Sequence, residues 1–310
     1  MASKALTIVL AAGKGTRMKS RLPKALHGIA GRSLLGDVLA ASRSAINGDV
    51  AVVVGPGMED VAAEAERQVA GARTFLQPKQ QGTADAVLAA REAIAGAGDV
   101  FVLFCDTPLL RTETLQRMQA ALDEGANVAV LGFEAADPTG YGRLLTSADG
   151  ELQAIREHND ATAEERSVRL CNSGVMAFRV PDLNGLLDGI EANNAKGEYY
   201  LTDATELARA QGLKAVAVAS EEEELLGVND RRQLAVAEAV FQTRARDRAM
   251  LEGATLIAPE TVWLSHDTKI GRDCIIEPNV FFGPGVEIGD DVRILANSHI
   301  EGAKVAPGSR

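Results

Sequence analysis

Residues 6–24 read LTIVLAAGKGTRMKSRLPK. A short apolar strand, Leu6–Leu10, runs into a glycine-rich loop that carries Lys14, Arg17, Lys19, Arg21 and Lys24. Through residue 36 the chain has seven Lys or Arg and no Asp or Glu, although its net charge is -11. A loop that brings backbone N–H groups close to a ligand among cations suits a polyphosphate. Two familiar loops are excluded. The dinucleotide fingerprint G-x-G-x-x-G needs a third glycine where Met18 stands, and the Walker spacing G-x-x-x-x-G-K-[ST] is absent. The plainer alternative is a basic surface loop.

Outward from this loop, residues 1–228 alternate strand-like and helix-like segments. Strands are predicted at 6–10, 50–54, 74–76, 100–104, 127–132, 175–178 and 215–218, with helices at 34–46, 58–69, 84–94 and 112–122. Such alternation reads as βαβ units of an α/β fold with a mostly parallel sheet, whose ligands sit at the carboxyl ends of the strands. The Gly13 loop and Asp106 both follow a predicted strand, so both are expected at one crevice.

Composition narrows the function. Hydrophobic residues make up 46% and charged residues 24%, ordinary for a soluble globular protein, and 310 residues suffice for about two domains. No apolar run approaches a membrane span, and no signal-peptide core is visible. Cys105, Cys171 and Cys274 lack zinc or disulfide-framework spacing, so a reducing, cytoplasmic setting is expected. The acidic balance argues against nucleic-acid binding. The run Glu221–Glu224 reads as a solvated loop face.

Residues 229–252 read as a linker helix capped by Asn229 or Asp230, with a stripe of Leu234, Ala237, Phe241 and Ala245. In residues 253–310 the rhythm changes. Leu264, Ile270, Ile276, Phe282, Ile288, Ile294 and Ile300 recur every sixth position, with Ala306 expected next, and Cys274, Val280, Val286, Val292 and Ser298 follow at a fixed offset. This hexapeptide repeat predicts a β-helix with the recurring residues stacked inside.

Several residues carry candidate chemistry. Asp106 ends an apolar strand and is a suitable oxygen donor for a magnesium ion held with phosphates, which needs only one or two protein ligands; a turn or helix cap is the alternative. The Asn229 amide is a neutral metal ligand or a helix cap. Gln77 and Gln80 offer donors and acceptors that suit the edge of a uracil, or a polar helix entry. Thr139–Arg143 forms a glycine-flanked turn exposing N–H groups. Glu157 and Asn172 suit sugar hydroxyls, although charged residues near turns commonly belong to the surface.

The pattern L-A-A-G-x-G-T-R-M followed by L-P-K resembles the signature of sugar-nucleotide pyrophosphorylases. Together with Gln77, Gly82-Thr83, Asp106, Thr139–Arg143, Glu157-His158, Asn172, residues 197–200, Thr202-Asp203 and residues 227–229, taken in order, the chain resembles the bacterial bifunctional N-acetylglucosamine-1-phosphate uridylyltransferases/glucosamine-1-phosphate acetyltransferases. The resemblance implies a Rossmann-like nucleotidyltransferase domain, then a short left-handed parallel β-helix, commonly assembled as a homotrimer. It implies Mg²⁺-dependent conversion of UTP and N-acetylglucosamine-1-phosphate into UDP-N-acetylglucosamine and pyrophosphate. By the same resemblance, Leu10, Ala11, Ala12, Gly13, Gln77, Gly82 and Thr83 hold the uridine. Arg17 and Lys24 stabilise the triphosphate, and Asp106 and Asn229 bind Mg²⁺. Gly142, Glu157 and Asn172 hold the sugar, with Tyr200 and Thr202 beside it. Phe104 and Cys105 stand where the family commonly has Tyr-Gly, so they too should border substrate. The family's acetyltransferase residues lie in later coils than those before Arg310, so no acetyl transfer is expected, and the sequence reads as truncated within its β-helix. Two alternatives stay open: another base or sugar-1-phosphate, and a non-catalytic β-helix scaffold.

Overall fold

The computed structural model describes residues 4–147, 150–179 and 183–310. Contacts divide the chain into two units, Met1–Leu26 with Leu35–Gly227, and His27–Leu34 with Val228–Arg310.

In the first unit the strands are β1 (Ala5–Leu10), β4 (Gly48–Val54), β5 (Arg73–Leu76), β6 (Val100–Phe104), β7 (Val128–Glu134), β8 (Arg143–Thr146), β9 (Leu152–Arg156), β10 (Leu170–Phe178) and β11 (Ala215–Ser220), with β2 (Gly28–Ile29) and β3 (Arg32–Ser33) kept for the second unit. Among the described residues the nine strands form one sheet, in the order β11-β7-β10-β6-β1-β4-β5, with β8 and β9 attached through β10. The pairs β6-β1, β1-β4, β4-β5 and β11-β7 are parallel, and β10 runs antiparallel to both its neighbours. Alternation along the strands sorts side chains to two cores. Leu6, Ile8, Leu10, Val100 and Val102 join one core, and Val9, Phe101, Leu103 and Cys105 join the other. A sheet buried on both faces explains why these strands read as continuous apolar runs.

Helices α1 (Leu34–Ala45), α2 (Glu59–Gln68), α3 (Thr83–Ala89), α4 (Arg91–Ile94), α5 (Thr112–Asp123), α6 (Ala163–Ser167), α7 (Leu183–Asp188) and α8 (Asp203–Ala210) complete the unit. The single helix expected over 84–94 is two helices. At Ala90 the bonding tightens to three-residue steps, Ala90 N–H to Val87 O and Ala93 N–H to Ala90 O, which ends α3. The acidic run is also corrected. Glu224 is 3% exposed, taking 2.6 Å from Thr114 Oγ1, and Arg111 Nε stands 3.6 Å from its carboxylate. A buried carboxylate persists because these donors replace water.

The second unit begins with the hairpin β2-β3 and continues with α9 (Arg231–Leu251), whose cap Asp230 accepts from the N–H groups of Arg232 and Gln233. Within the expected stripe Ala237 is fully buried, and Gln242, outside it, is 1% exposed. The Gln242 amide donates to Leu264 O at 2.7 Å and accepts from Leu264 N–H at 2.9 Å, supplying the backbone partners a neighbouring strand would.

Two-residue parallel strands then stack in three columns. Thr255–Leu256, Ile275–Ile276 and Arg293–Ile294 form one; Lys269–Ile270, Glu287–Ile288 and Lys304–Val305 the second; Phe281–Phe282 and His299–Ile300 the third. The inward residues Ile276, Phe282, Ile288 and Ile294 pack with Cys274, Val280, Val286 and Val292 in one core, as expected of a β-helix. The final repeat departs from the expectation. Val305, not Ala306, pairs with Ile288, and Ala306 is exposed. Glu287 N–H bonds Ala303 O where Lys269 N–H bonds Val286 O, so the corner at Glu301-Gly302 is one residue shorter than the one at Gly283-Pro284-Gly285. Among the described residues no helix is long and apolar enough to cross a membrane.

Candidate active site

A cleft of about 170 Å³ in the first unit is lined by Leu10, Ala12, Gly13, Lys24, Gln77, Gly82, Thr83, Ala86, Phe104, Cys105 and Asp106. Its construction follows from the sheet. β1, β5 and β6 end at Leu10, Leu76 and Phe104, so the residues just after them converge at the carboxyl edge. Lys24 arrives from the basic loop because Gly15, in the left-handed region at φ +60°, leaves space for it. A Cβ there would stand 2.5 Å from Lys24 Cβ. The Lys24 ammonium forms an ion pair with the Asp106 carboxylate.

At the far wall Gly82 has φ +130°, and a Cβ on it would meet the Tyr199 backbone at 2.4 Å. Tyr199 N–H bonds Gln81 O, Ala84 N–H bonds Tyr199 O, and Leu201 N–H bonds Thr83 Oγ1, so residues 199–201 lie against the entry to α3. The Gln77 amide nitrogen donates to Gly82 O at 3.0 Å and to Asp85 Oδ2 at 2.8 Å. Gln80 instead donates its amide to Ala12 O, bracing the glycine loop.

Cys105 is 5% exposed, and its side chain packs with Phe101 and Leu103 in one core, so the bulk it adds points largely into the protein. Burial first, then the Asp106 carboxylate, opposed by Lys24, pushes its thiol up to about 12. The thiol stays protonated at neutral pH and is a poor nucleophile. The Phe104 ring covers Gly174, where a Cβ would stand 2.7 Å from Phe104 Cε2.

A second cluster forms at the bulge of β10. Asn172 N–H bonds Gly142 O at 2.8 Å, and a Cβ on Gly142 would stand 3.3 Å from Glu157 Oε1 and 3.5 Å from Asn172 Cβ. Burial pushes the Glu157 carboxyl above its usual range, opposed by Lys196 and helped by Asp160 and Asp203. Tyr200 is pushed up to about 12 by burial and then by Asp160, Glu157, Glu198 and Asp203. Asp203 rises to about 6 through burial and Glu206, against the opposing Arg156, with Asp160 adding to the rise. The buried Thr202 Oγ1 has no hydrogen-bond partner among the described residues, an orphan that a ligand hydroxyl would satisfy. Arg143 does not expose its charge to a ligand. It is 1% exposed and donates to the carbonyls of Tyr141 and Arg166.

The structure thus gathers Leu10, Ala12, Gly13, Lys24, Gln77, Gly82, Thr83, Phe104, Cys105 and Asp106 at one cleft, and Gly142, Glu157 and Asn172 at another place on the same unit. Ala11 is buried in the core, Arg17 is exposed on the turn Thr16–Met18, and Asn229 belongs to the second unit. Asp85 and Ala86 escaped the sequence reading, and Tyr199, within the motif at 197–200, and Gly174 were given no role of their own. Asp85 and Ala86 carry a weak signal in the run after Gly82-Thr83, whereas Tyr199 and Gly174 become relevant only through backbone proximity.

A divalent ion was tested against these donors. Among the described residues no group of three or more His, Cys, Asp or Glu could hold a metal. A magnesium ion shared with a polyphosphate needs only one or two protein oxygens, so the lone Asp106 carboxylate fits that use. Gly13 lines the same cleft, and a Cβ there would have nothing of the protein within 4 Å.

Comparisons with known proteins bear on the family and the fold. A MobA-like NTP transferase domain model matches residues 7–169, and a bacterial transferase hexapeptide model of six repeats matches residues 267–309. The bifunctional protein GlmU of Azorhizobium caulinodans is 60% identical over 304 residues, covering 98% of this chain and 68% of its own. That of Xanthobacter autotrophicus is 59% identical with the same coverage, 98% and 68%. A crystal structure of UDP-glucose pyrophosphorylase complexed with UDP-glucose aligns with a TM-score of 0.61 at 18% identity, covering 78% of this chain and 99% of that one, a likeness of fold. On the identity and coverage of these relatives, the chain belongs to the family of bifunctional GlmU proteins.

Proposed function

We propose that this sugar-phosphate uridylyltransferase makes UDP-N-acetylglucosamine and pyrophosphate from UTP and N-acetylglucosamine-1-phosphate, with Mg²⁺ as its metal. The observation that carries the reading is the shared cleft. The glycine loop at Gly13, the Gln77 amide and the pair Lys24–Asp106 line one cavity. The separate cluster of Gly142, Glu157 and Asn172, with the unpartnered Thr202 hydroxyl, suits a sugar rich in hydroxyls.

In the reaction the phosphate oxygen of the sugar-1-phosphate attacks the α-phosphorus of UTP. The new O–P bond forms as the bond to the β-phosphate oxygen breaks, and pyrophosphate leaves with the electron pair. No protein nucleophile takes part, so catalysis is positioning and charge neutralisation. Lys24 supplies positive charge at the cleft, and Arg17, on the basic loop, adds to it where the triphosphate tail would lie. Asp106 would hold the divalent ion, which when bound neutralises phosphate charge. With such an ion bound, the Asp106 carboxylate would serve it as an oxygen ligand, and the Lys24 ammonium, now its ion-pair partner, would face phosphate oxygen.

The β-helix carries exposed Trp263, Phe281, Leu295 and Ile257, which suits the homotrimer expected of the family and is measurable by light scattering.

The test is pyrophosphate release across a small panel, with Mg²⁺ or with chelator. UTP with N-acetylglucosamine-1-phosphate and Mg²⁺ should be the best combination. A clear preference for glucose-1-phosphate, for another nucleotide, or undiminished turnover in chelator would overturn it.

A further inference from the structure

We propose that Asp85 is a positioning residue that locks the Gln77 amide with its carbonyl oxygen turned to the nucleobase, so that the cleft selects uracil over cytosine. The inference deepens the proposed function and rests on its reading that UTP enters this cleft.

Gln77 follows β5 and is 4% exposed, with its backbone N–H bonded to Val54 O at 2.9 Å. Its side-chain nitrogen has two partners, Gly82 O at 3.0 Å and Asp85 Oδ2 at 2.8 Å. Both are acceptors, so both amide hydrogens are committed. The flipped amide would set Gln77 Oε1 against a carboxylate oxygen and a carbonyl oxygen, three acceptors with no proton among them. That orientation is excluded by chemistry, independently of how O and N are assigned. Asp85 is itself held, since Oδ2 also accepts from Gln81 N–H at 3.1 Å.

What Gln77 has left to offer is Oε1, an acceptor, on a residue that lines the cleft. Uracil presents a ring N3–H donor between its two carbonyls. Cytosine presents a bare N3 acceptor there. A fixed acceptor therefore bonds one base and repels the other, whereas an amide free to flip would accommodate both. Sites that commit a buried polar group to one partner discriminate strongly against an analogue that leaves it unpaired. Asp85 touches no substrate in this scheme and acts only through Gln77.

The experiment compares Asp85→Asn and Asp85→Ala with the wild type, measuring kcat/KM for UTP and for CTP at saturating sugar phosphate, and the affinity of each nucleotide by calorimetry. Asparagine is close to isosteric and, with its oxygen in the place of Oδ2, still accepts from both Gln77 Nε2 and Gln81 N–H, whereas alanine removes one of the two acceptors that hold the Gln77 amide. The UTP-over-CTP ratio should fall by about tenfold or more in Asp85→Ala, by loss of UTP affinity and gain of CTP affinity, with the KM for the sugar phosphate unmoved, and Asp85→Asn should keep the ratio near that of the wild type. A merely structural role would lower both nucleotides together and leave their ratio intact, and that result in Asp85→Ala overturns the inference while leaving the proposed function standing. A wild type with no preference for UTP would overturn both.

Discussion

A Cβ placed on Gly271, in the β-helix, would stand 2.4 Å from Asp290 Oδ1 and 2.6 Å from the Gly289 carbonyl carbon, whereas one placed on Gly13, in the cleft, would meet nothing within 4 Å. The two glycines answer to different neighbours. In the coils Gly271 is fixed by the neighbouring coil, although Gly302 and Gly308 there are as open as Gly13, so the repeat records packing where coils touch. In the cleft the packing of the protein does not require a glycine at position 13, and on the proposed function a nucleotide would lie beside it. The molecule thus joins a region read from its own packing to one whose reading depends on the proposed ligand.

The sharpest way to break that contrast is Asp106→Asn. The amide keeps a hydrogen-bond acceptor for Lys24 but loses the charge that would hold the metal. Turnover should fall by about a thousandfold or more, while the melting temperature moves by no more than a few degrees. Near-normal turnover would remove Asp106 from the chemistry. Next in size are two alanine substitutions. Gly271→Ala drives a methyl into backbone with no room to shift and should destabilise the β-helix by about 3 kcal/mol, seen as early proteolysis of residues 253–310, with the KM for UTP unchanged. Gly13→Ala should do the reverse, raising the KM for UTP by roughly tenfold to a hundredfold with stability intact. If Gly13→Ala melts early and binds normally, the cleft glycine is structural and the contrast fails.

The same contrast decides what was legible in the sequence. The coils could be read because Ile276, Phe282, Ile288 and Ile294 occupy equivalent environments. The reading slipped at Ala306 because one corner is a residue shorter, a deletion that costs the stack little and leaves no mark in composition. In the first unit apolar runs located the strands, and with them Gly13, Gln77 and Asp106 at the strand ends. β8 and β9 went unread, since Arg143 looks like a surface residue until the fold brings the carbonyls of Tyr141 and Arg166 to it. Glu224 and Gln242 are buried for the same reason, their partners lying distant in sequence. Residues whose role depends on one remote partner leave no periodic trace; Asp85 went unread although its partners Gln77 and Gln81 are near in sequence, because a single contact has no period.

Cys105 tests whether a cleft position can obey the logic of the coils. Its side chain lies in the core, so Cys105→Gly should act as a packing mutation, costing about 1–2 kcal/mol from lost burial and added chain entropy. Turnover should change less than about threefold. A large gain in affinity for UTP without loss of stability would instead mean that the thiol obstructs the ligand.

Acidic residues give the smallest effect and the most direct comparison, because the two regions shift them in opposite directions. In the coils Glu287 is held below its ordinary value of 4.5 by hydrogen bonds and charge from Lys304 and Lys269. Beside the sugar-side cluster Asp203 is raised from 3.8 to about 6, chiefly by burial. The linkage signs follow from which state binds the proton more tightly. Folded Glu287 binds its proton less tightly than the unfolded chain does, so its contribution is present above pH 4.5 and is lost as pH falls through the lowered value. Folded Asp203 binds its proton more tightly, so stability declines as pH rises from 3.8 to about 6 and stays reduced above that. Glu287→Gln should therefore melt below the wild type at pH 7 and match it in acid. Asp203→Asn should match the wild type near pH 4 and melt above it by a few degrees at pH 7, having lost a carboxylate that the fold desolvates. Melting curves of the three proteins across pH 4 to 8 would show the two differences opening in opposite directions. If both variants shift the same way, the half-buried carboxylate of Asp203 is stabilised as those of the coils are, and the contrast between the two regions fails for their acidic residues.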